Sequence, residues 1–213
     1  MKKQKLFLLL IFLLGGLSVS AQTEKGKWFV SGLNILSFQA GTMKYTSDYE
    51  SYNSKSNITQ FYYGPSFLYG GMNLVNSPTI NYGIIDKLSA GIFMNINFQS
   101  EKDEDDNKSS STVFVIGPTV RYYFMDEKKF LPFAEGKAGF GSYSDKYGDN
   151  DASKSGLFSW YVGAGGTYFF KPKIGVDFTL GYGSMNAKDK DSEDNEKSTI
   201  SVVNIGVGML IGF

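Results

Sequence analysis

The sequence predicts an all-β fold, an eight-stranded antiparallel up-and-down transmembrane β-barrel preceded by a signal peptide. Three observations carry this. Long stretches alternate strictly between two kinds of side chain. Their connections alternate between short turns and long polar segments. The polar face of the alternation is almost free of charge, which a water-facing surface is not.

Composition narrows the class first. The chain has 213 residues, no Cys and no His. No disulfide, thiol nucleophile, Cys-ligated zinc or N-terminal lipidated Cys is possible. Without His there is no Ser-His-Asp triad, no His-ligated metal and no imidazole base. With 18 Phe, 14 Tyr and 25 Gly, the composition leans towards strands packed closely on one another.

Residues 1–21 read as a secretory signal peptide. Lys2, Lys3 and Lys5 precede the apolar run Leu6 to Leu14, and Val19-Ser20-Ala21 supplies small residues for cleavage before Gln22. That run is about half the ~20 residues a membrane helix needs. The domain is then 22–213, with 18 basic and 21 acidic residues. No later stretch is long and apolar enough for a membrane helix, so a membrane form must be a barrel.

The strands follow in order. Val203, Ile205, Val207, Met209, Ile211 and Phe213 alternate with Asn204, Gly206, Gly208, Leu210 and Gly212. Ile174, Val176, Phe178, Leu180 and Tyr182 alternate with Gly175, Asp177, Thr179, Gly181 and Gly183. Phe158, Trp160, Val162, Ala164, Tyr168 and Phe170 share one face, and so do Leu88, Ala90, Ile92, Met94, Ile96 and Phe98. Short turns fall at Asp86-Lys87, Asp126 to Lys129 and Lys171-Pro172-Lys173. Long polar segments fall at Gln99–Ser111, Ser144–Ser155 and Met185–Ser198, with another around Thr46–Asn57. Three turns and four loops join eight strands, the plan of an outer-membrane barrel. The expected strands are 28–45, 73–85, 88–98, 112–125, 130–143, 156–170, 173–184 and 199–213. Residues 58–71 are aromatic and read as the upper part of the second strand. The first hairpin is then expected to turn near Ser54–Asn57, with a bulge or bend at Gly70-Gly71. The first strand alternates poorly.

Charge decides which face is outside. The polar faces of the later strands carry only Arg121, Glu135, Lys137 and Asp177. Their other residues are mostly Gly, Ser, Asn, Thr and Tyr, which suit a crowded lumen. The other face is large and aromatic, with Trp160, Tyr168, Phe170, Tyr122, Phe124 and Tyr182, as a lipid-facing band is.

The chain resembles the small outer-membrane β-barrel domain proteins of Gram-negative bacteria, a porin-like family common in the Bacteroidetes. The likeness covers the whole mature chain. It lies in Lys27-Trp28-Phe29-Val30, in Ser77-Pro78 leading to Tyr82 and Asp86-Lys87-Leu88, in Gly117-Pro118 leading to Arg121-Tyr122-Tyr123-Phe124, and in the terminal Phe213. Asn204, Gly206, Met209, Ile211 and Phe213 resemble the C-terminal signal read by the barrel assembly machinery, although the family often has an aromatic where Met209 stands. Families of this kind include adhesins, invasins, structural proteins and porin-like proteins, so the resemblance implies location more than activity.

Four lumen charges, Arg121, Glu135, Lys137 and Asp177, are expected to form a salt-bridge network that plugs the barrel. Eight strands leave room only for side chains. The long outer segments are acidic, with fifteen Asp and Glu against nine Lys. Neither acidic run has the glycine of a calcium-binding EF-hand loop, so no metal site is expected. Barrel enzymes of similar outline use a catalytic His, which is missing here, so no catalytic residue or cofactor is expected. No basic patch supports nucleic-acid binding. The expected role is a non-enzymatic outer-membrane protein acting in surface contact, adhesion or envelope integrity. The alternative is a small porin or channel. Expected partners are outer-membrane lipid, lipopolysaccharide, the barrel assembly machinery and host or cell-surface ligands of the loops.

Overall fold

The computed structural model describes residues 24–47, 53–63, 77–102, 108–125, 129–147, 153–189 and 196–213. The expected signal peptide, 1–21, and the Gly70-Gly71 bend lie outside the described residues. Nine strands form one antiparallel sheet: β1 Trp28–Thr46, β2 Asn53–Tyr63, β3 Thr79–Ile85, β4 Leu88–Lys102, β5 Lys108–Tyr123, β6 Phe130–Tyr147, β7 Ser153–Lys171, β8 Ile174–Asp189 and β9 Lys197–Gly212. β1 pairs with both β2 and β3, the strands from β3 to β9 each pair with the next along the chain, and β1 pairs with β9 to close the sheet.

Among the described residues the strand count is nine where eight were expected. Both β2 and β3 lie along the same edge of β1, with Leu36–Thr46 opposite β2 and Trp28–Ser31 opposite β3. They divide one position in the wall between them, so the ring still has eight positions.

The expected loops are shorter than their polarity implies. β4 continues to Lys102 and β5 begins at Lys108, and Lys102 faces Lys108 across the pair. Pairing between β6 and β7 reaches Asp145 and Ser153, and between β8 and β9 it reaches Lys188 and Lys197. The first hairpin turns between Thr46 and Asn53, not at Ser54–Asn57. The reason is solvent. Spanning a membrane takes about 9–11 residues, and these strands run 15 to 19 except β2 and β3. Their outer parts stand in water, where the outward face carries Ser, Thr, Asn and Lys and reads as loop.

The weak alternation of β1 has a local cause. The register with β9 shifts between Val30 and Leu33 and again between Asn34 and Leu36. Gly32 sits at φ +73°, and a β-carbon there would lie 2.1 Å from the Ser77 carbonyl oxygen. Only glycine permits both the backbone angle and that approach.

Outside, the wall is apolar. Ile92, Met94, Ile96, Ile116, Val162, Phe178, Leu180 and Ile205 are all exposed on it. An aromatic girdle marks one end, with Trp28, Tyr82, Tyr122, Phe124, Tyr168, Phe170 and Phe213; Phe61, Phe98, Phe114, Phe140 and Phe158 mark the other. From Tyr122 to Phe114, or from Phe130 to Phe140, the separation is eight to ten residues. At ~3.3 Å per residue and a tilt of roughly 40° this spans about 20–25 Å, the height of a lipid-facing band. Both ends of the domain meet at the first girdle, where the Phe213 N–H donates to the Trp28 carbonyl at 2.9 Å.

This last contact generates a test. Phe213 adds the final hydrogen bond of the closing seam and a girdle ring. Deleting it is expected to lower the outer-membrane yield and leave protein in the periplasm. Fractionation with heat-modifiable gel mobility checks this, and wild-type yield and mobility would refute it.

Candidate functional site

The residues singled out for chemistry all lie inside the barrel. Arg121 on β5 and Glu135 on β6 are directly opposite each other, and Thr167 on β7 is opposite Asp177 on β8. Alternation sends all four side chains inward. Arg121 crosses the lumen: its Nη1 donates to Asp177 Oδ2 at 2.8 Å, and its Nε and Nη2 donate to Glu135 Oε2 at 3.1 and 2.8 Å. The guanidinium lies 3.9 Å from the centre of the Phe133 ring. The Thr167 hydroxyl donates to Asp177 Oδ1 at 2.6 Å. Lys137 stands 3.5 Å from Glu135 Oε1, with its ammonium 5.4 Å from the centre of the Tyr161 ring.

Arg121 is 2% exposed, and its carboxylate partners are buried with it. Desolvating four ions is expensive unless each is met by opposite charge and hydrogen bonds. Here two cations and two anions cancel, and one guanidinium ties β5, β6 and β8 together.

Above and below this layer the lumen is apolar. Phe29, Tyr123, Leu131, Phe133 and Leu210 fill the end next to the chain termini. On the other side Phe93, Val115, Leu157, Tyr161, Met185 and Val202 pack together. Glycine makes this possible in so narrow a ring. The Tyr161 ring lies over Gly163 and Gly181, whose β-carbons, if present, would fall 2.1 and 2.3 Å from its hydroxyl.

The wall formed by β9, β1 and β3 differs. It carries neutral hydrogen-bonding groups: the Ser37 hydroxyl donates to Asn204 Oδ1 at 2.7 Å, Ser31 and Thr79 share a 2.6 Å bond, and Asn81 Nδ2 donates to Thr79 Oγ1 at 2.9 Å. The period-2 pattern puts these residues inside without showing that they join across strands. Beyond the outer apolar layer lies a cavity of about 420 Å³, lined by the amides Gln39, Gln60, Asn97 and Gln99 and by Met43, Val113 and Ile200 among others. Sequence reasoning missed this space, because its walls come from strands far apart in the chain.

The residues of the C-terminal motif sit on the closing strand. Asn204 and Gly206 point inward, and a β-carbon on Gly206 would meet Asn34 Nδ2 and Thr179 Oγ1 at 2.9 Å. Met209 and Ile211 are half-buried on the outward face, and Phe213 is exposed.

A closed antiparallel sheet with an apolar outside and a polar, ion-paired inside defines an integral outer-membrane β-barrel protein. No protein-family model and no curated protein matches the chain. Solved structures of similar shape exist. Neisserial surface protein A is 15% identical with a TM-score of 0.46, covering 87% of this chain and 97% of its own. The outer membrane protein AlkL is 11% identical with a TM-score of 0.43, covering 92% and 94%. The outer membrane protease OmpT from Escherichia coli is 8% identical with a TM-score of 0.38, covering 92% and 99%. At such identities no activity passes from one to another.

Two stability predictions follow from the lumen. Arg121→Ala leaves Glu135 and Asp177 without their main cation and is expected to destabilise the barrel by about 3 kcal/mol or more. Gly181→Ala forces the Tyr161 ring aside and is expected to cost about 1–3 kcal/mol. Urea unfolding in detergent micelles, followed by tryptophan fluorescence, measures both. A neutral Arg121→Ala would mean that water reaches the carboxylates.

Proposed function

We propose that this barrel is a non-enzymatic outer-membrane protein that acts through its extramembrane hairpins, in surface contact, adhesion or envelope integrity. One observation supports it most: the lumen is filled. Two apolar layers enclose a neutral ion-pair layer held at 2.8–3.1 Å. No continuous aqueous path is compatible with that packing in an eight-position ring. The hairpins, in contrast, rise past the girdle and carry most of the charge.

The lumen also argues against hydrolysis. Asp177 is engaged by Arg121 and Thr167, and Glu135 by Arg121 and Lys137. A general base needs a lone pair available to its substrate, and both carboxylates are already bonded to cations. On the same reading the chain is of the Bacteroidetes-type porin-like family, and β9 with its terminal Phe213 is the strand that the assembly machinery receives. Lipopolysaccharide surrounds the outer part, and the loops meet host or cell-surface ligands.

The outer cavity favours a second reading, a small porin. A solute can enter about 420 Å³ of space lined by amides. It then meets Phe93, Tyr161 and Met185. Planar-bilayer recording separates the two readings. The closed barrel is expected to show no stable ohmic step. A reproducible conductance that changes when Arg121 or Asp177 is neutralised would establish the channel instead.

A further inference from the structure

The cavity at the outer end of the lumen has a volume of about 420 Å³. Small-molecule sites occupy roughly 300–1,000 Å³. Its lining residues alternate in sequence with the outer girdle. Gln39 follows Phe38, Gln60 precedes Phe61, Asn97 and Gln99 flank Phe98, and Val113 precedes Phe114. Those rings are exposed to lipid, so alternation sends the amides inward at the same height. Val113, Ile200 and Val202 are at once lining residues and members of the outer apolar layer, and Met43, Ile58 and Tyr143 pack against that layer. The layer is therefore the floor of the cavity.

Four primary amides converge on this space. Gln39 is directly opposite Gln60 in the β1–β2 pair and opposite Asn204 in the β1–β9 pair, so its backbone is fixed from both sides. Asn97 and Gln99 share one face of β4 and are opposite Val113 and Ser111 of β5. Gln39 and Asn97 are buried. Gln99, one step nearer the outer end of β4, is exposed, so the cavity opens on the outer side. An amide side chain carries two donors and two acceptor lone pairs. A partner within the wall uses only part of that capacity, as where the Tyr62 hydroxyl donates to Gln60 Oε1. The floor is filled by Phe93, Val115 and Leu157 among others, so packing alone does not call for amides above it.

The mixture of groups defines a ligand chemistry. A hydroxyl both donates and accepts. The N–H and C=O of one amide lie side by side, so together they hold two neighbouring hydroxyls, one as acceptor and one as donor. A sugar ring presents such pairs at its edge and C–H groups on its faces. Here the amides meet the edge, and Tyr143, Met43 and Ile58 meet a face. An acyl chain would use the apolar residues alone and would displace water from the amides without replacing its hydrogen bonds.

We propose that the outer cavity is a binding site for an uncharged saccharide of one or two rings. Every described lining residue is itself uncharged. The proposal rests on the reading that the lumen is closed beneath the cavity, which makes the space an end point for a solute, and it gives surface contact a ligand class. Paired strands hold the amides in place before the ligand arrives, so little ordering is required on binding.

The test uses the barrel purified from outer membranes in a polyoxyethylene detergent, which carries no sugar headgroup. Saturation-transfer NMR is run with maltose, lactose and N,N′-diacetylchitobiose. Wild type is expected to bind at least one of them with a Kd of about 1 mM or tighter. Gln39→Leu combined with Asn97→Leu removes two amides at similar volume and is expected to weaken that binding by about tenfold or more. Ser111→Trp fills the cavity from its side and is expected to abolish binding. Heat-modifiable mobility verifies folding, and Ser111→Trp decides alone if the double variant does not fold. Saturation transfer to none of the three sugars overturns the site without any variant, as does undiminished binding in either folded variant. Binding of 1-octanol in place of the sugars also overturns it, by making the cavity an acyl site. Planar-bilayer conductance tests the closed lumen separately. A silent barrel that binds no sugar overturns only the site, and a conducting barrel that binds sugar overturns only the closed lumen.

Discussion

The structure depends on one constraint: a backbone amide in hydrocarbon has no water to bond with. Each unpaired group there costs several kcal/mol, so a sheet can enter lipid only if it has no free edge. The β1–β9 seam closes the sheet on one side of β1, and β3 joins β1 to β4 on the other. The seam runs from Phe29 opposite Gly212 to Thr46 opposite Lys197, almost the full length of both strands. The remaining features are consequences of closing an eight-position ring. The lumen becomes so narrow that glycine must stand wherever a large side chain lies flat, as Gly163 and Gly181 do beneath Tyr161. The outward face is left to lipid, and the charges that the sequence carries between the girdles must go inside.

Closure also explains why the charged layer is neutral. Arg121, Lys137, Glu135 and Asp177 lie at neighbouring heights on β5, β6 and β8. A single unpaired ion at that depth would draw in water or resist folding. Arg121 suits the central place because its planar fork can address two carboxylates on different strands while its face stacks on Phe133. Lysine there could not serve both. The network therefore acts as a cross-brace between walls.

Much of this was legible from residue order. Period 2 identified the outward residues of β4 to β9, and the scarcity of charge opposite them gave the inverted, lipid-facing sense. The four lumen charges could be named because they are rare on those faces. What stayed hidden has two physical causes. Polarity stops reporting strand against loop once a strand leaves the membrane, so Gln99–Lys102 and Ser153–Ser155 read as loop although they are paired. Contacts between strands distant in sequence leave no local trace. The reach from Arg121 to Asp177, the division of one wall position between β2 and β3, and the outer cavity all arise from closure. In β1 the pattern itself was obscured, because two register shifts around Gly32 and Asn34 reset the alternation.

The outward face changes character along its height, and that sequence of zones narrows what the barrel can do. Between the girdles it is apolar, then it carries Ser, Thr and Asn, then lysine. A barrel needs only the first zone to stay in the membrane. Polar residues of any kind would keep the hairpins soluble, and mixed charges would do so without placing like charges opposite each other. The recurrence of lysine at one height on every wall position, including three Lys–Lys pairs, is therefore not a requirement of folding. The interior, braced by Arg121 between Glu135 and Asp177, serves to hold the cylinder in one shape.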